Sequence, residues 1–196
     1  MSSALIVIDV QDSFLQQPIW AVSSNPGIAG RAAALADAAR DRGEDVIWVL
    51  HAEPGSGGPF DPARRHVRLM DGLAARDGEP VITKTSHNAF TTTNLQQVLT
   101  AHGVGDVLVC GIRTEQCCET TARVASDFGY GVTFVTDATA TSPIEHRDAP
   151  RGRSVADIVA DPLTLPVADV IARTEYALAG RFATIATVDD LAALRR

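Results

Sequence analysis

The chain has 196 residues, 45% of them hydrophobic and 21% charged, the composition of one soluble globular domain with a core of its own. A net charge of −7 excludes the basic surface that grips phosphates non-specifically, so no nucleic-acid partner is expected. No apolar run approaches the length of a bilayer span, and an odd set of three cysteines, two of them adjacent at Cys117 and Cys118, excludes a fully paired disulfide framework.

The first residues, Met-Ser-Ser, carry no basic stretch or cleavage signal before an apolar run at 4–8, so a cytoplasmic protein with no membrane partner is expected. That run reads as a central strand buried on both faces. Asn25-Pro26 supplies an N-cap and a first-turn proline for an Ala-rich helix that stops near Gly43. Residues 45–50 form a second strand, followed by His51 and a Gly/Pro-rich loop. A third strand over 80–84 ends at Lys84, and Thr92 or Thr93 caps a helix running to about Ala101. The fourth strand, 107–110, runs into Gly-Ile-Arg-Thr-Glu-Gln-Cys-Cys at 111–118, which opens a helix closed by Gly129. Strands over 131–136 and 183–186 complete the set, and Thr187 caps a short last helix. Short apolar runs alternating with helices predict an α/β fold with a parallel sheet.

The segment 143–165 breaks this alternation. It is polar, holds prolines at 143, 150 and 162, and leads into a helix over 167–178. Such an excursion, about 143–178 in all, serves as a lid, an oligomer contact or a solvated loop.

Ligands of an open α/β sheet gather at the carboxyl ends of its strands. Asp9, Lys84 and the turn holding Cys117 all fall at such ends, so three strands deliver an acid, a cation and a thiol to one crevice. Cys117 also lies where a helix begins, and the unpaired N–H groups and dipole there favour a thiolate. A carboxylate beside a cation can take the thiol proton. Cys118 lies about 100° around the helix from Cys117, so only one of the two faces the crevice; Cys110, inside an apolar strand, reads as core.

Asp9-Val-Gln-Asp-Ser-Phe14, the segment from Lys84 to Asn88-Ala-Phe90, and Gly111-x-x-Thr-x-x-Cys117 resemble the three signatures of the isochorismatase-like cysteine hydrolase superfamily. That group includes nicotinamidases, N-carbamoylsarcosine amidohydrolase and ureidoacrylate amidohydrolase. The resemblance spans residues 4 to about 142. It implies a hydrolase domain over 1–196, a single doubly wound, three-layer α/β/α (Rossmann-like) unit with six mainly parallel strands. It also implies a catalytic triad: Asp9 as general base, Lys84 stabilising the charged forms, Cys117 as nucleophile. A cis peptide at Ile112-Arg113 is implied as well, with the backbone N–H groups of Arg113 and Cys117 forming an oxyanion hole.

Nicotinamidases of this group hold a metal on an Asp-x-His and a further His after the second strand. This chain has His51-Ala-Glu53-Pro there and no second nearby His, so no metal and no cofactor is expected. The Gly55-Ser-Gly-Gly-Pro59 loop lacks the Lys-Ser/Thr of a P-loop and reads as a flexible pocket rim. Phe14, His51 and Arg113 are substrate-binding candidates; Arg113 either pairs with a substrate carboxylate or points into solvent. The expected activity is C–N hydrolysis of a small amide, carbamoyl or ureido substrate through a thioester. A vinyl-ether hydrolase of the isochorismatase kind and an idle α/β binding protein are the alternatives. The resemblance also implies a homo-oligomer, dimer or tetramer.

Overall fold

The computed structural model describes residues 2–193. Its sheet comprises β1 (Ser2–Ile8), β2 (Asp45–His51), β3 (Val81–Lys84), β4 (Val104–Ile112), β5 (Gly131–Ala140) and β6 (Thr184–Ala186). Every pairing is parallel, in the order β3-β2-β1-β4-β5-β6. The expected six mainly parallel strands are thus six wholly parallel ones. The chain winds outward from β1 to β3, then returns to the far side of β1 for β4. The order therefore reverses between β1 and β4, which opens a crevice at their carboxyl ends.

The alternation of side chains along β1 divides the core into two layers. Ala4, Ile6 and Ile8 join Leu95 and Leu99 of α2 (Leu95–Ala101) and Ala122 and Ala125 of α3 (Glu119–Asp127). Leu5 and Val7 face the other way, onto Ile28, Ala32, Leu35, Ala36 and Ala39 of α1 (Ile28–Asp41). These α1 positions recur at helical spacing, which makes the Ala-rich stretch a flat face that lies close on the sheet.

Several local expectations are corrected. Asn25 does not cap α1, whose N-cap is Gly27; its side chain instead donates to the carbonyls of Asp137 and Thr139, tying the loop to β5. Neither threonine caps α2, whose N-cap is Asn94: Thr93 Oγ1 accepts from Leu95 N at 3.1 Å, while Thr92 Oγ1 accepts from Thr85 N at 2.9 Å and braces the chain leaving β3. β5 reaches Ala140, past the expected 136, because a bulge in its pairing with β4 between Val109 and Gly111 lets the ladder resume at Thr139. The excursion contains α4 (Val155–Ala160), capped by Ser154 accepting from Asp157 N, ahead of α5 (Val167–Leu178). Thr187 caps α6 (Val188–Ala193) as expected, with Asp190 reaching back to the Thr187 N–H at 2.9 Å in a reciprocal cap.

One glycine decides how closely the crevice closes. Gly111 has φ +126°, and a Cβ there would stand 1.9 Å from the Ile8 carbonyl oxygen. Only glycine lets β4 approach the end of β1 so tightly. That approach brings the turn after β4 alongside Asp9.

Candidate active site

Asp9 directly follows β1 in the left-handed region, with φ +54°, a conformation Asp tolerates better than most residues. Its N–H donates to Val49 O at 2.7 Å and its carbonyl accepts from Gln11 N at 2.8 Å, so the backbone is held while the carboxylate turns into the crevice. Gln11 secures the neighbouring strand end: it accepts from His51 N at 2.7 Å and donates to His51 O at 3.0 Å. Lys84, the last residue of β3, reaches under this lattice and is fully buried.

Three side chains converge. Lys84 Nζ donates to Asp9 Oδ2 at 2.7 Å and to Cys117 Sγ at 3.4 Å. Asp9 Oδ1 is buried and makes no hydrogen bond among the described residues, while the Cys117 thiol stands close enough to interact with the carboxylate. Cys118 is fully buried and packs in the core layer that holds α3, and Cys110 is fully buried in the opposite layer. Cys117 alone of the three faces the crevice, where it lines a cavity of about 290 Å³.

The electrostatics correct one expectation. Burial pushes the Cys117 thiol up to about 12, and the Asp9 carboxylate adds to the rise; Lys84 opposes both. Desolvation and a neighbouring anion outweigh the helix start, so the resting group is a thiol rather than a thiolate. Burial also raises the Asp9 pKa, against the pull of Lys84. Both shifts favour the proton-bearing forms of the two acids in the crevice.

Cys117 sits in a wide helical turn, Thr114–Cys118, entered through a cis Ile112-Arg113 peptide bond and continuing into α3. Cys118 N donates to Arg113 O at 3.1 Å, which closes the turn, and Thr114 Oγ1 donates to Thr139 Oγ1 at 2.8 Å, which ties it to β5. Phe14, His51 and Arg113 all line the Cys117 cavity. Phe14 meets Phe60 edge-on at 5.0 Å, and the His51 ring lies 5.7 Å from that of Phe60. Burial and the Lys84 charge lower the His51 pKa, which favours a neutral imidazole.

Five lining residues were not among the expected site residues: Gln17, Glu53, Phe60, His87 and Gln116. Phe60 arrives through the Gly/Pro-rich loop, which is braced rather than loose. Asp61 accepts from Gly57 N at 2.8 Å and Ala63 N at 3.1 Å, and those bonds lower its pKa. Where nicotinamidases place metal ligands, His51 Nε2 and Glu53 Oε1 face each other at 3.5 Å, and no cluster of three metal-binding side chains occurs among the described residues. These residues do not make up a ligand set.

The isochorismatase domain family matches residues 3–164. The chain belongs to the isochorismatase family. The isochorismatase family protein YddQ of Bacillus subtilis is 32% identical over 149 residues, covering 76% of this chain and 83% of that protein. A streptothricin hydrolase of Streptomyces noursei is 32% identical over 178 residues, covering 89% of this chain and 59% of that protein. Among solved structures, an isochorismatase from Pseudomonas putida superposes with a TM-score of 0.79 at 33% identity, covering 94% of this chain and 87% of that one. The chain is thus an isochorismatase-family hydrolase, and the doubly wound sheet is the family's fold.

Proposed function

We propose that this hydrolase cleaves the C–N bond of a small amide, carbamoyl or ureido substrate through a thioester on Cys117. One observation carries the reading: a buried thiol and a carboxylate with an unoccupied oxygen share a single buried lysine. In the reaction, Asp9 Oδ1 takes the Sγ proton as sulfur attacks the carbonyl carbon, whose π electrons move to oxygen. Because the free thiol loses its proton so reluctantly, transfer and attack occur together. The oxyanion lies against the backbone N–H groups of Arg113 and Cys117. As the C–N bond breaks, Asp9 returns its proton to the departing nitrogen. Water then gives a proton to Asp9 and attacks the thioester; the acid leaves, and sulfur regains the proton. Lys84 keeps a positive charge beside both anionic partners throughout.

A cavity of about 290 Å³ suits a small molecule. The name of the Streptomyces relative, streptothricin hydrolase, is in keeping with hydrolysis. The test is release of ammonia or amine from a panel of small amides, carbamoyl compounds and ureides. Turnover that Cys117→Ala abolishes supports the reading. Turnover confined to vinyl ethers and largely retained in Cys117→Ala overturns it in favour of isochorismatase-type chemistry. A chain that turns over neither class is a binding protein.

A further inference from the structure

Proton transfer and nucleophilic attack leave the Arg113 side chain without a task. Its Nη1 donates to Ser142 Oγ and its Nη2 to Gln17 Oε1 at 3.1 Å, both neutral acceptors. The guanidinium lies 5.9 Å from the centre of the Phe14 ring. Among the described residues no ion pair includes Arg113. Five N–H bonds radiate from a guanidinium, so most of its donors remain for a ligand.

None of the acids around it forms an ion pair with it among the described residues. Asp9 is paired with Lys84, Glu53 stands against His51, and Glu115 accepts from Thr141 Oγ1 at 2.6 Å through one oxygen while the other is buried without a hydrogen bond. Arg113 is half-buried; burial lowers its pKa, and the Glu115 and Cys117 charges offset that only in part. A desolvated cation of this kind is stabilised by an anion that docks beside it.

Arg113 also stands at a junction. With Gln116 it lines both the Cys117 cavity and a second one, again about 290 Å³, walled by Ile19, Pro143, Ile144 and Ile158. Glu145 at the rim of this second cavity is engaged by Arg153 at 3.4 Å. The excursion after β5 therefore builds an apolar compartment on the far side of the unpaired cation.

We propose that Arg113 is a specificity-determining residue: the substrate carries a carboxylate next to its scissile acyl group, paired with the guanidinium, and an apolar portion seated among Ile19, Ile144 and Ile158. This rests on the hydrolase reading above and names the substrate class of the same site. Recognition and turnover separate experimentally, because alkylation of Cys117 reports on binding without hydrolysis.

The test compares iodoacetate with iodoacetamide as alkylating agents, followed at the Cys117 peptide by mass spectrometry. The iodoacetate-to-iodoacetamide rate ratio should fall about tenfold in Arg113→Gln, the worth of one charge-assisted contact, and recover in part in Arg113→Lys. Equal ratios in all three proteins overturn the assignment. A second arm needs only the native protein: hexanoate should slow iodoacetamide labelling more than butyrate or hexanamide does. Equal protection by hexanamide removes the anion site, and equal protection by butyrate removes the apolar compartment. Charge selectivity without amide turnover leaves the recognition standing and overturns the hydrolase reading; turnover without charge selectivity does the reverse.

Discussion

A carboxylate stands beside each end of β3, one from its own chain segment and one from the end of β1, and the two are bonded very differently. Just before the strand, Glu79 accepts from Arg40 Nε at 2.6 Å, Arg40 Nη2 at 2.8 Å, Trp48 Nε1 at 2.8 Å and Arg76 N at 2.9 Å. These donors hold its pKa at about 2 against the cost of burial. At the far end, Asp9 meets Lys84 through one oxygen, the other has no hydrogen bond among the described residues, and burial raises its pKa. A saturated carboxylate has no capacity left for a proton and serves as a clamp between α1, β2 and β3. An under-bonded one, more deeply buried than Glu79, is poised to accept a proton and give it back.

The comparison is broken most forcefully at the reactive end. Asp9→Asn should cut kcat by a factor of about 10²–10⁴, the usual contribution of a general base, measured on any substrate found in the amide panel. Glu79→Gln should leave kcat within about twofold, since the residue touches none of the reacting groups. Lys84→Met should be nearly as damaging as Asp9→Asn, because a buried carboxylate without its cation takes up a proton and can no longer act as a base. The acid limb of the kcat/KM–pH profile should therefore lie above the ordinary carboxylate range in the native protein, reporting Asp9 with its raised pKa.

At the structural end the effect is on stability. Glu79→Gln should lower the unfolding free energy by about 2 kcal/mol, seen as a lower urea midpoint with an unchanged m-value. The pH dependence carries the opposite sign at the two ends. Glu79 ionises more easily in the folded chain, so its contribution is complete above the ordinary value of 4.5 and is lost as pH falls toward about 2. That loss amounts to about 3 kcal/mol and should be missing from the acid denaturation of Glu79→Gln. Asp9 ionises less easily when folded, so its contribution declines as pH rises through its raised pKa.

What the sequence disclosed follows the same division between local and distant causes. Asp9 and Lys84 were legible because each ends an apolar run that can only be a strand, and strand ends in a parallel sheet meet at one edge. The turn at 111–118 was legible for the same reason. Phe60, His87 and Gln17 were not, since they reach the cavity along loops shaped by contacts within the loops themselves, such as Asp61 on Gly57 and Asn88 Oδ1 on Phe90 N at 2.9 Å. α4 escaped notice because a six-residue helix has little periodicity to read; its Ser154 cap and the burial of Ile158 against the rest of the chain define it. The expectation of a thiolate failed because a helix start is visible locally, whereas the burial and the Asp9 charge that outweigh it come from β1, more than a hundred residues away.

The central claim is that Cys117, with its proton passed to Asp9, forms the covalent bond to substrate. Acid-quenching the enzyme during turnover and mapping its peptides by mass spectrometry tests this directly. The account predicts an acyl adduct on Cys117, present in the native protein and absent from Asp9→Asn. An adduct on Cys118, or undiminished turnover by Cys117→Ala, would contradict it.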